Sequence, residues 1–356
     1  MSAHNHRIGF RLIASAVLSV LLSAAGTSAA EKDLVDLVSK QLPTEYDSAD
    51  AAMTAFKDAV NASDLDKLAS VLGVDAAHLK ATDGVSETLA AIKDGIGKRV
   101  ALEEKNGQNI IDVGEIMWPF PFPIVKAENG KYAFDPVVGI EEIINRRIGE
   151  NEIQTIETVR GYVDAQQEYA SADHDGDGVL EYAQKLVSSP GRADGLYWPE
   201  SEGLGESPAA PYLDYVQFEK SKDNGYFGYR YKVLTRQGGN IAGGPYDYVI
   251  NGNMIAGFAL VAWPVKYGET GVNTFVVNRN GIVYQADLGA DTDKIARAMK
   301  QFNPGDPGRS PRTEDGGDEG CTANCRQARS TAGSTAIPRV TWRPVLRTSA
   351  AAQTRS

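Results

Sequence analysis

Asp173-His174-Asp175-Gly176-Asp177-Gly178-Val179-Leu180-Glu181 is the stretch whose residue types and spacing carry the clearest chemistry. Three carboxylates stand at alternate positions, with glycines among them for a tight turn. A hard cation such as calcium takes about six to eight oxygens, and this spacing wraps several around one ion. Asp173, Asp175 and Asp177 would offer side-chain oxygens. Val179 would offer its backbone carbonyl, and Glu181 a carboxylate, directly or through water. The twelfth position of the loop is Gln184, where the EF-hand pattern has a bidentate Glu. Weaker affinity or a different geometry is expected. The plainer alternative is that Asp and Gly simply turn the chain after a helix. Against it, three close carboxylates repel one another unless a cation intervenes. Calcium is the expected metal, held as a structural ion, because an oxygen-only set without His or Cys suits hard cations.

Other chemistry has less to build on, and no catalytic residue is assigned. After the first thirty residues the histidines are His78 and His174. His78 reads as a surface residue, and His174 stands beside the acids, where a relay is conceivable. No G-x-S-x-G, Gly-rich phosphate loop or zinc-type His pair occurs. The two cysteines, Cys321 and Cys325, both fall near the C-terminus and read as incidental thiols rather than a bridge or metal site. A carboxylate pair acting on glycan or peptide stays open as the alternative function, since an acidic chain offers candidates. Trp118, Trp198 and Trp263 read as packing residues before they read as a groove lining.

The elements that must position the Asp-rich loop are a helix before it and strands after it. From Gly139 to Ala170 apolar residues recur at helical spacing, with Ile140, Ile143, Ile144 and Ile148 on one face. A break is expected near Gly149, followed by a long helix to about Ala170. Beyond the loop, strands are expected at 226–235, 246–250, 254–265, 272–278 and 282–287. Asn251-Gly252 and Asn280-Gly281 mark tight turns between them. A last helix is expected over 294–302, capped by Asp291-Thr292. On the N-terminal side, Asp47-Ser48 caps a helix carrying Ala52, Phe56, Ala59 and Val60. A second helix, with Leu65, Leu68 and Leu72, stops at Gly73. A third is expected over 86–104. A strand around Ile110–Val113 and a Pro-interrupted edge segment, Trp118–Lys126, follow. Asn129-Gly130 then turns the chain into Lys131–Phe134.

The fold class is therefore α+β. It comprises N-terminal helices with a small hairpin sheet over 47–136, then a long central helix with an antiparallel meander over 137–302. A disordered tail is expected over 303–356, because its composition collapses into Pro, Gly, Ser, Thr, Ala and Arg. In that tail Val345-Leu346 has the chemistry of a short docking peptide, against the plainer reading of a passive tail. Residues 1–30 have the order of a secretory signal: Arg7 and Arg11, an apolar run from Leu12 to Ala25, then small residues to Ala30. Cleavage near Ala30 and a periplasmic or secreted destination are expected. The apolar run is shorter than the roughly 20 residues a membrane helix needs, and no later segment is apolar enough to span. Loss of the two signal arginines takes the formal charge from −11 to −13, and the body from 31 to 302 carries −16. Such a body repels phosphate backbones, so nucleic acid is a poor partner. Cations, basic surfaces and an envelope protein or glycan are better ones.

Several stretches together resemble a bacterial envelope family catalogued as domain of unknown function 2950. They are Trp118-Pro119-Phe120-Pro121, the run from Asn145 to Glu152, Asp175-Gly176-Asp177-Gly178 with Glu181-Tyr182-Ala183, Gly195-Leu196-Tyr197-Trp198, and Asn251-Gly252 through Trp263-Pro264. The resemblance spans about 45–300. It implies export and a single-unit architecture, and it carries no catalytic residue. Residues 151–289 also look like a pilin or pseudopilin globular domain: a long helix, an Asp/Gly-rich loop, a Glu-Tyr and an antiparallel sheet. The chain departs from that pattern in having no prepilin signal and no apolar N-terminal helix half. The N-terminal portion looks like half of a cystatin-like or nuclear-transport-factor-like cone. On these grounds the expected function is a non-enzymatic structural, binding or assembly protein of the envelope. A small-ligand pocket in the N-terminal domain is a third possibility, asking for an apolar cavity of roughly 300 Å³ or more.

Overall fold

The computed structural model describes residues 37–39, 42–82, 84–214, 218–219, 221, 224–305 and 340–345. The signal expected over 1–30 lies outside them, as do both cysteines. By its internal contacts the chain forms two units, one through Glu150 and one from Asn151.

The first unit begins with four helices: α1 (Ala49–Ala62), α2 (Leu65–Leu72), α3 (Ala76–Ala81) and α4 (Val85–Lys98). Their starts follow side-chain capping of otherwise orphaned N–H groups. Ser48 accepts from Ala51 N at 3.1 Å, Asp64 from Lys67 N at 3.0 Å and Asp75 from His78 N at 2.9 Å. Five strands follow: β1 (Val100–Lys105), β2 (Gln108–Val113), β3 (Trp118–Pro119), β4 (Ile124–Lys126) and β5 (Tyr132–Phe134). The sheet order is β1-β2-β4-β5, with β3 also on β2. Helix faces and sheet share one core around Phe56, whose ring centroid lies 4.5 Å from that of Phe120 and 6.0 Å from that of Phe134.

The helix expected over 86–104 ends at Lys98 instead, and Val100–Lys105 form β1. Asn106 and Gly107 both take positive φ, 55° and 79°. That is the two-residue turn that joins antiparallel strands with native twist. It pairs Lys105 with Gln108 and Val100 with Val113. A helix through Val100 would forgo that whole ladder.

Helix α5 (Pro136–Tyr169) runs 34 residues without interruption, so the break expected at Gly149 is absent. A helical Gly costs only about 0.5–1 kcal/mol relative to Ala, too little to stop a helix with flanking apolar contacts.

In the second unit, the α5 residues Val159, Tyr162, Ala165 and Tyr169 join a core with the sheet. That sheet contains β6 (Tyr229–Leu234), β11 (Ala259–Pro264), β12 (Asn273–Asn278) and β13 (Tyr284–Asp287) in meander order, all antiparallel. Between β6 and β11 the chain makes two small ribbons. The first pairs β7 (Arg236–Gln237) with β8 (Tyr246–Asp247), and the second pairs β9 (Val249–Ile250) with β10 (Asn253–Met254). The strand expected over 254–265 is thereby split. Met254 belongs to the β9–β10 ribbon, and Gly257, at φ 153°, lies in the bend before β11. Asn251 and Gly252, at φ 53° and 97°, form the ribbon's tight turn as expected. Helix α6 (Thr292–Ala298) follows, starting earlier and ending sooner than the expected 294–302.

Most of the tail from 303 onward lies outside the described residues. Within it, 340–345 is placed, and strand β14 (Arg343–Pro344) adds to β13. Composition alone does not show this, because a two-residue strand leaves no periodicity. Among the described residues no helix is long and apolar enough to cross a membrane.

Candidate metal centre

Helix α5 delivers the chain to the Asp-rich loop, and the aromatic residues at its end fix the entry. The His174 ring stacks on Tyr169 at 4.0 Å and meets Trp198 edge-on at 5.9 Å. Its Nε2 lies 3.0 Å from the Tyr169 carbonyl. The ring therefore serves as an inward anchor and is engaged with the protein rather than with the acids. The Tyr169 hydroxyl donates to Ala193 O at 2.9 Å. Burial, and then the negative charges of Glu181, Asp194 and Asp175, push this phenol up to about 12.

The loop closes on its own backbone. Asp173 accepts from the N–H groups of Gly176 at 2.7 Å and Gly178 at 2.9 Å. Those two bonds, Gly176 first, hold its carboxyl below the usual range. Asp175 accepts from Asp177 N at 3.2 Å, and Asp177 from Val179 N at 2.7 Å. Gly176 and Gly178 take φ of 80° and 83°, a backbone that residues with a Cβ adopt at a cost. The result gathers one carboxylate oxygen from each of Asp173, Asp175 and Asp177, all within 4.8 Å of one another and all on exposed residues. Calcium–oxygen distances of about 2.3–2.6 Å allow two ligands of one ion to be at most about 5 Å apart. The trio meets that limit. Among the described residues none of the three carboxylates forms an ion pair with a Lys or Arg.

Glu181 stands apart from the trio. It accepts from Met254 N at 2.8 Å and from the Gln184 amide at 3.4 Å, so it faces the β9–β10 ribbon. Val179 is half-buried beside it, with its N–H given to Asp177. The ribbon is the loop's second anchor. Asn253 donates to Asp177 Oδ2 at 2.6 Å, Tyr182 N donates to Met254 O at 2.9 Å, and the Gln184 amide donates to Gly252 O at 2.6 Å. Just downstream, fully buried Gln166 of α5 donates to Ala183 O and accepts from Ala183 N, each at 2.8 Å. Asn253 and Gln166 were not singled out from the sequence. Asn251-Gly252 announces the ribbon, but no local signal says that it meets a loop some 75 positions earlier.

Two concavities among the described residues bear on ligand binding. The first unit encloses an apolar cavity of about 70 Å³, lined by Phe56, Leu72, Leu89, Ile92, Phe120 and Ile140 among others. That volume falls well short of the roughly 300 Å³ at which ligand pockets begin. The second unit carries a groove of about 390 Å³ beside α6, lined by Ala298, Met299, Lys300, Gln301 and Trp342 among others. The one acid lining either is Asp75, in the first.

The family described as "Protein of unknown function (DUF2950)" matches residues 43–309. No curated protein and no solved structure matches the chain.

Proposed function

The chain belongs to the DUF2950 family of proteins of unknown function, and from that premise we propose a structural or binding protein of the bacterial envelope whose 173–181 loop takes a calcium ion. The gathering of three exposed carboxylate oxygens within 4.8 Å carries the reading. The loop is tied at one end to α5 and at the other to the β9–β10 ribbon, so an ion there would stiffen a junction between helix and sheet. Asp173, Asp175 and Asp177 would hold it, with Val179 O as a further oxygen. Glu181, engaged with Met254, would act through water. The missing acid at Gln184 lowers the charge of the site and suits it to the higher calcium concentrations found outside the cytoplasm. The N-terminal signal pattern supports that location. A carboxylate hydrolase asks for two facing carboxyls about 5–9.5 Å apart in a cleft, and neither concavity described above is lined by such a pair.

Calorimetric titration tests the reading. Calcium should bind with measurable heat and raise Tm by about 5 °C at a hundredfold excess over Kd. Asp175→Asn, which keeps the side-chain shape, should abolish both effects. No heat and no shift at millimolar calcium would sink the proposal.

A further inference from the structure

We propose that the free edge of β13, with the groove beside it, is an acceptor site for an extended peptide, and that residues 340–345 of the same chain are its built-in, exchangeable occupant. The family match ends at residue 309, so the acceptor belongs to the shared part of the chain and the occupant lies outside it. Without 340–345, β13 would be the outermost strand and would present unpaired backbone groups, the template on which an added strand assembles.

The way the segment sits supports docking. It runs antiparallel, with Tyr284 opposite Pro344 and Gln285 opposite Arg343. Val345 N donates to Val283 O at 2.8 Å. Val340, Trp342 and Val345 are half-buried against the body, while Thr341 and the strand residues Arg343 and Pro344 are exposed. Trp342 and Val345 pack on the core of the second unit, and Trp342 lines the 390 Å³ groove. Backbone pairing would supply affinity, and the packing of the Trp342 and Val345 side chains on the core would supply selectivity. Charge agrees, since residues 303–356 carry +3 against −16 in the body. The paired stretch is only two residues long, short enough to exchange. The occupant is joined to the body through residues 306–339, so in cis it has a high effective concentration and a free peptide must be in excess to replace it.

The test uses the full chain. A fluorescein-labelled hexapeptide, Val-Thr-Trp-Arg-Pro-Val, is titrated by anisotropy onto the unchanged chain and onto Trp342→Ala. Emptying the site should tighten probe binding at least about tenfold. Equal binding to both chains, or none to either, overturns the proposal. A second arm needs no variant. Hydrogen exchange of the unchanged chain should show the 340–345 amides slowed at least about tenfold relative to a free peptide. Millimolar unlabelled hexapeptide should release that protection while β13 stays protected. Unprotected 340–345, or protection that the peptide leaves unchanged, overturns the inference. Protection that fades on dilution along with a dimer would place the occupant in a second copy and overturn the assignment in cis.

Discussion

At the scale of single residues, carboxylates here serve as acceptors for backbone N–H groups as often as they serve as charges. Asp173 closes the candidate metal loop in this way. Asp194 does the same a little further on, accepting from Lys185 Nζ at 2.6 Å and Ser189 N at 2.7 Å. The lysine first, and then the serine N–H, pull its carboxyl down to about 2. A carboxyl whose pKa is depressed on folding adds stability above its unfolded pKa, near 4, and loses it as pH falls through the folded value. The urea midpoint of the native chain should therefore exceed that of Asp194→Asn by a constant amount between pH 5 and 7. The gap should close as pH drops from about 4 to about 2. A gap that persists at pH 2 would contradict the assignment. The sequence shows Asp194 only as one acid among many; its partners Lys185 and Ser189 lie nine and five positions away in a stretch with no regular period. His174 was legible as a neighbour of the acids, and only the stacking on Tyr169 reveals that it is turned inward.

At the scale of elements, sequence punctuation was read well where one residue type forces one geometry, and less well where context decides. Ser48, Asp64 and Gly73 bound helices as their chemistry requires. Gly149 was over-read. It sits in α5 with open space around the position a Cβ would take, whereas a Cβ at Gly139, also in α5, would run into the Phe122 ring. The two glycines should therefore respond oppositely to the same change. Gly149→Ala should stabilise by about 0.5–1 kcal/mol, and Gly139→Ala should destabilise by about 1–3 kcal/mol, measured by urea unfolding. Equal effects would show that the helix tolerates both alike. The β1–β2 hairpin was missed for the opposite reason. Asn106-Gly107 is as strong a turn signal as Asn251-Gly252, but Val100–Lys105 has acids and lysine where a half-buried strand usually shows alternation. Its burial fades from half-buried at Val100 to exposed at Lys105, so the strand presents no alternating apolar face.

At the scale of the whole chain, two separate apolar cores account for two units. Chains of this kind depart from two-state unfolding. Scanning calorimetry should resolve two transitions, and calcium should raise the one belonging to the unit that bears Asp173–Glu181. A single transition moving as a whole would show the units to be cooperative. The order of helices, hairpin sheet, long helix and meander was legible because hydrophobic period changes from helical to alternating at the right places. What composition hid was the return of 340–345 to the sheet, since six residues carry too little pattern to register. That return has a material consequence. Pro344 lacks an N–H, so the sheet terminates in a strand that can donate fewer bonds to a newcomer. A sheet that ends in a bare strand runs the hazard of fibrous self-assembly through that edge. Here the added strand brings a proline that opposes polymer growth from that side.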